Sequence, residues 1–175
     1  MTSVNPTHGA GSAMSRYPSA VQKAALAMGA VFLLVGILGF IPGVTTHYDQ
    51  LTFAGQHSEA ALLGIFNVSI LHNIVHLAFG VAGIALARSF NAARSYLIGG
   101  GVVYLVLFVY GLVIDHESSM NFVPVNDADN WLHLVLAAAM LASGLLLGRT
   151  HRGTHAPIGV DENAAPGDPS RRTTR

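Results

Sequence analysis

Residues 71–88 read LHNIVHLAFGVAGIALAR, and residues 132–149 read LHLVLAAAMLASGLLLGR. Laid together without a gap, Leu71-His72 falls on Leu132-His133, Gly83 on Gly144 and Arg88 on Arg149. Each stretch is an apolar run closed by an arginine, with a histidine 16 residues before it. A helix rises 1.5 Å per residue, so both imidazoles stand about 24 Å from their arginine, at equal height. The apolar runs upstream also pair: Gly29 with Gly101, Val31 with Val103, Phe32 with Tyr104, Leu33 with Leu105 and Gly39 with Gly111. This predicts two helical hairpins of the same orientation, a parallel repeat about a pseudo-twofold axis along a membrane normal.

Working outward, apolar stretches cover about 20–41, 61–87, 95–114 and 129–148. Each has about 20 residues or more, enough to cross about 30 Å of hydrocarbon as a helix. All seven prolines lie outside these spans, as a helix interior requires. Of the 175 residues 51% are hydrophobic and 10% charged, and the mean hydropathy is +0.49. A soluble domain carries about 25% charged residues, so lipid is expected to face most of this chain. The fold class that follows is all-α, a four-transmembrane-helix bundle occupying 19–149. Pro42-Gly43 is expected to close the first helix and Asp129 or Asn130 to cap the fourth.

Charge sets the expected orientation. The nine basic residues fall in the N-terminal segment (Arg16, Lys23), the short second loop (Arg88, Arg94) and the C-terminal region (Arg149, Arg152, Arg171, Arg172, Arg175). The loops 42–60 and 115–128 hold none. Because cytoplasmic loops retain Lys and Arg, both termini are expected inside and both longer loops outside. Residues 1–18 and 150–175, rich in Pro, Gly, Ser, Thr and charge, are expected to be disordered cytoplasmic tails. Nine acidic residues balance the nine basic ones, which argues against a nucleic-acid partner that needs a positive field.

The absence of cysteine removes disulfides, thiolate nucleophiles and Cys-based metal sites. No HExxH, phosphate loop, dinucleotide fingerprint or serine-nucleophile motif is present, so nothing points to an enzyme. Small and polar residues share one face: Ser69, His72, His76, Gly80, Gly83 and Ala87 in the second span, and His133, Ala137, Met140, Gly144 and Gly148 in the fourth. Such stripes mark where helices approach closely in lipid.

An unpartnered imidazole or amide in hydrocarbon costs several kcal/mol. His72, Asn73, His76 and His133 are therefore expected to satisfy one another in a network gluing the second helix to the fourth. The alternative is a bound metal or haem. His72 and His76, one helical turn apart, can share one ion with His133 as third ligand, or His72 and His133 can be the axial ligands of a haem. The function expected is a small multi-pass membrane protein acting structurally or as a partner subunit, in contact with the lipid bilayer and with a homo-oligomer or membrane-protein partner in view. In the outer loops, Asp115-His116-Glu117 reads as a solvated acidic turn. Tyr17, Tyr48, Tyr96 and Trp131 read as interfacial anchors.

The string LHNIVHLAFGVAGIA, the tyrosine-bearing third span and the ADNWLHLVL start of the fourth resemble a bacterial, largely actinobacterial, membrane-protein family, domain of unknown function 4383. The resemblance covers about residues 20–150. It implies a four-helix membrane protein, with a glycine common where this chain has Ala137, and it implies no established activity.

Overall fold

The computed structural model describes residues 18–149; the tails expected at 1–18 and 150–175 lie, but for Pro18, outside the described residues. Four helices dominate: α1 (Ala20–Leu38), α2 (Ile70–Leu86), α3 (Phe90–Val113) and α4 (Asp127–Leu146). α1 packs chiefly against α2 and α3 against α4, and the two pairs meet mainly through α1 and α3. α1, α3 and α4 are long and apolar enough to cross a membrane. α2 is apolar but has 17 residues, about 26 Å of helix.

Each helix begins where a side-chain oxygen can receive the free N–H groups of the first turn. Ser19 accepts from the Gln22 backbone N–H at 3.4 Å, and Gln22 Oε1 accepts in return from Ser19 N–H at 3.0 Å. The other end of the Gln22 amide donates to the Ala87 carbonyl at 3.0 Å, clamping the start of α1 to the end of α2. Ser69 caps α2 through His72 N–H, and Ser89 caps α3 through Ala92 N–H.

These caps correct the expected boundaries. α3 starts at Phe90 rather than 95, because the polar residues after Ser89 are helical although they dilute the apolar signal. α4 is capped by Asn126, while Asp129 sits three residues on as the reciprocal acceptor of a capping box. α1 ends at Leu38 with Gly39 as its cap, four residues ahead of Pro42-Gly43. A Cβ at Gly39 would fall on the side-chain amide of Asn73.

The second span departs most. Residues 61–69 are not helical; they carry β2 (Ala61–Leu62) and β3 (Phe66–Asn67) of a small antiparallel sheet completed by β1 (Thr45–Thr46), in the order β1-β2-β3. The turn between β2 and β3 passes through Leu63 and Gly64, both at positive φ. Ala60, Leu62 and Val68 are buried beneath it, packed on Val35 and Leu38 of α1. Apolar side chains that resemble the start of a membrane helix thus form a lid over one end of the α1–α2 pair.

Between helices, backbones touch where glycine permits. A Cβ at Gly29 would lie 2.8 Å from Ile84 N and 2.9 Å from Gly80 O. Gly101 of α3 is pressed against Leu141 of α4, whose N would lie 3.0 Å from an added Cβ. Met140 is fully buried and abuts Gly100.

Candidate functional site: an imidazole cluster between two cavities

The stripes expected from the sequence do point inward. His72, Asn73, His76, Gly80 and Gly83 of α2 are buried, as are His133, Ala137, Met140 and Gly144 of α4. His72 and His76 are each 8% exposed and His133 is 3% exposed.

Aromatic rings pack around the three imidazoles. His72 and His76 meet edge to face with centroids 4.5 Å apart. His76 stacks on Phe32 of α1 at 5.9 Å, and His133 lies 5.4 Å from Tyr104 of α3. Phe32 and Tyr104 stack directly on each other, and Phe79 of α2 meets both edge-on at 5.8 Å. All four helices contribute a ring to this centre.

The expected hydrogen-bonded network is corrected by this packing. Among the described residues the Nδ1 atoms of His72, His76 and His133 are buried without a hydrogen-bond partner, as are both side-chain polar atoms of Asn73. Asn73 follows His72 by one residue and so projects about 100° around the helix from it, toward Gly39 of α1. The rings meet through their faces and edges.

Two cavities flank the cluster, and all three histidines line both. The first, about 160 Å³, lies between α1 and α4, with Val31, Phe32 and Val35 on one wall and Leu132 and Leu136 on the other. The second, about 230 Å³, lies between α3 and α2, with Val103, Tyr104 and Leu107 facing Leu71 and Val75. The 72-residue offset that pairs Gly29 with Gly101 carries Val31, Phe32 and Val35 onto Val103, Tyr104 and Leu107. The 61-residue offset that pairs His72 with His133 carries Leu71, His72 and Val75 onto Leu132, His133 and Leu136. The lid strands close the first cavity through Leu62 and Phe66, and Phe122 and Val123 of the later loop line the second.

The cavities differ in one charged group. Asp129 lines only the first. Its Oδ2 accepts from the backbone N–H of Asn67 at 2.9 Å and of Asn126 at 3.2 Å, and Asn126 Nδ2 donates to Ile65 O at 2.8 Å. α4 is thereby tied to the lid. In the sequence Asp129 reads as a cap; its place beside a cavity depends on the lid, which the apolar pattern hides. Phe32 and Tyr104 carry a signal there, as an aromatic pair matched at the 72-residue offset.

The metal ligands expected at His72, His76 and His133 gain no support: among the described residues no group of three or more His, Cys, Asp or Glu side chains is placed so that it could hold a metal ion. In the outer loop, Asp115 Oδ1 accepts from Glu117 N–H at 3.0 Å and His116 Nε2 contacts the Gly111 carbonyl at 3.1 Å, a self-contained turn. Tyr96, expected at the interface, is buried and donates to the Phe79 carbonyl at 3.1 Å; Trp131 is largely exposed.

The family model described as "Domain of unknown function (DUF4383)" matches residues 22–146. No curated protein and no solved structure matches the chain.

Proposed function

The chain belongs to this family of unknown function, and because that description carries no chemistry, we propose a role from the surface and the interior alone: a small multi-pass protein of the bacterial plasma membrane that acts structurally or as a partner subunit. In this reading all four helices cross the bilayer, both termini are cytoplasmic, and the chain is two repeated hairpins.

One observation carries the membrane role. Every helix turns large apolar side chains outward: Leu34, Val81, Val106 and Val135, one from each, are all more than half exposed. Scattered surface apolar residues are ordinary in water, but contiguous apolar faces on every element are not; in hydrocarbon they are what a helix must present. α2 shares this property, which supports its crossing despite its 17 residues. The confinement of all basic residues to the terminal segments, the connection between α2 and α3, and the first turns of α1 and α3 supports the orientation. The repeat is supported by the position-for-position match between the walls of the two cavities.

Reporter fusions test the topology. A reporter active only in the periplasm is expected to work when fused after Met120, and one active only in the cytoplasm when fused at either terminus. The reverse pattern overturns the orientation. Purification in mild detergent tests the partner role: a higher-order assembly or a retained second protein is expected, and a solitary monomer of full stability overturns it.

A further inference from the structure

The two matched cavities have walls almost wholly apolar, yet both are touched by three imidazoles. Each imidazole is at least nine-tenths buried and, among the described residues, its ring makes no hydrogen bond; Nδ1 is sealed within the packing, which leaves Nε2 as the ring nitrogen open to the cavities that the imidazoles line. Burying a polar atom unsatisfied costs free energy that packing alone does not return. We infer that each cavity binds the ring of a small uncharged molecule bearing a hydroxyl or carbonyl oxygen, drawn from the bilayer, with that oxygen hydrogen-bonded to an imidazole nitrogen.

Size, polarity and access each narrow the ligand. An apolar cavity of about 150 Å³ accommodates benzene, so cavities of about 160 and 230 Å³ each take one six-membered ring, with small substituents reaching into the open rim. A neutral imidazole offers one donor and one acceptor nitrogen, which suits a carbonyl as well as a hydroxyl. An anion would meet the Asp129 carboxylate in the first cavity and no countercharge in the second; a cation would lose its hydration to aliphatic walls. At the rims, the equivalent residues Val31 and Val103 are 46% and 44% exposed, so both cavities reach the outward apolar surface of α1 and α3. The side from which the ligand arrives rests on the membrane reading above; binding itself does not.

The test uses the full chain in mild detergent with ¹⁵N-labelled histidine, and p-cresol and toluene as probes. Saturable shifts of the His72, His76 and His133 ring nitrogens are expected with p-cresol at a stoichiometry of two per chain, with toluene binding at least tenfold more weakly. Val31→Phe and Val103→Phe narrow one mouth each, so each single variant is expected to bind one p-cresol and the double variant none. Ring nitrogens that stay in place, equal responses to both probes, or undiminished binding in a folded double variant would overturn the inference. The comparison of probes on the unaltered chain decides even if a variant fails to fold. In lipid nanodiscs, 4-dodecylphenol is expected to move the same nitrogens; a response to water-soluble p-cresol alone would overturn the bilayer source. The detergent binding is independent of topology, so failure of the reporter fusions and failure of this site are separable.

Discussion

The ring of Phe32 on α1 lies face to face with that of Tyr104 on α3, centroids 5.3 Å apart and planes 4° from parallel. These residues stand 72 apart, the offset that also pairs Gly29 with Gly101, and their stack joins the two helix pairs at the level of the imidazoles. Around a twofold axis an element that touches its own equivalent must do so on the axis. The stack therefore marks where the axis of the proposed repeat would run.

Truncation at this stack is expected to be costly. Phe32 and Tyr104 are 1% and 2% exposed, so Phe32→Ala should destabilise by about 3–5 kcal/mol. Tyr104→Phe keeps the ring and should cost far less. A double-mutant cycle of Phe32→Leu with Tyr104→Leu should return a coupling of about 0.5–1.5 kcal/mol. Reversible denaturation in mixed micelles measures all of these, and zero coupling would mean that the rings are neighbours without an energetic link.

Glycine substitutions should separate close contact from open surface. Gly29→Ala would press a methyl onto the backbone of α2, within 3 Å of Ile84 N and Gly80 O, and should destabilise by about 1–3 kcal/mol. Gly99→Ala meets nothing within 4 Å and should stabilise α3 by up to about 1 kcal/mol. Equal thermal shifts in the two variants would contradict the α1–α2 packing.

Removing the Asp129 carboxylate should loosen the lid before it loosens the helices. Asp129→Ala strands the N–H groups of Asn67 and Asn126 and should cost about 1–3 kcal/mol. Asp129→Asn retains one acceptor oxygen and should cost less. Amide exchange at Asn67 should accelerate in Asp129→Ala while that of α3 is unchanged; unaltered exchange at Asn67 would show that the contact does not hold the lid.

The haem alternative has a direct spectroscopic reading. The purified chain is expected to show no Soret band and no stoichiometric metal. A Soret band lost in His72→Ala or His133→Ala would restore a bis-histidine haem as the centre of this protein.

Much of the molecule is legible from residue order. Near-continuous hydropathy marks four helical segments, and the small-polar stripes of α2 and α4 identify the faces that are buried, because a 3.6-residue period constrains which residues share a side. Helix starts are less legible. Ser89 acts through a single hydrogen bond and Asn126 through a local capping box, and an apolar average over many residues dilutes both signals. The lid is illegible for a sharper reason: Ala61, Leu62 and Phe66 are as apolar as a membrane helix, and it is strand pairing, with Leu62 and Phe66 packed beside Val35 and Leu38, that makes them strands.

Sequence alone determined that His72, His76 and His133 would be interior, since polar groups on glycine-lined faces have nowhere else to go in an apolar chain. It left open what they would meet there. Tertiary structure decided that His76 stacks on Phe32, that His133 tilts against Tyr104 and that His72 meets His76 edge to face, with the three Nδ1 atoms unpartnered and a cavity on either side. The reason is geometric: periodicity orients a side chain about its own helix axis, but the space between two helices depends on how closely glycine lets them approach and on what bulk fills the remainder.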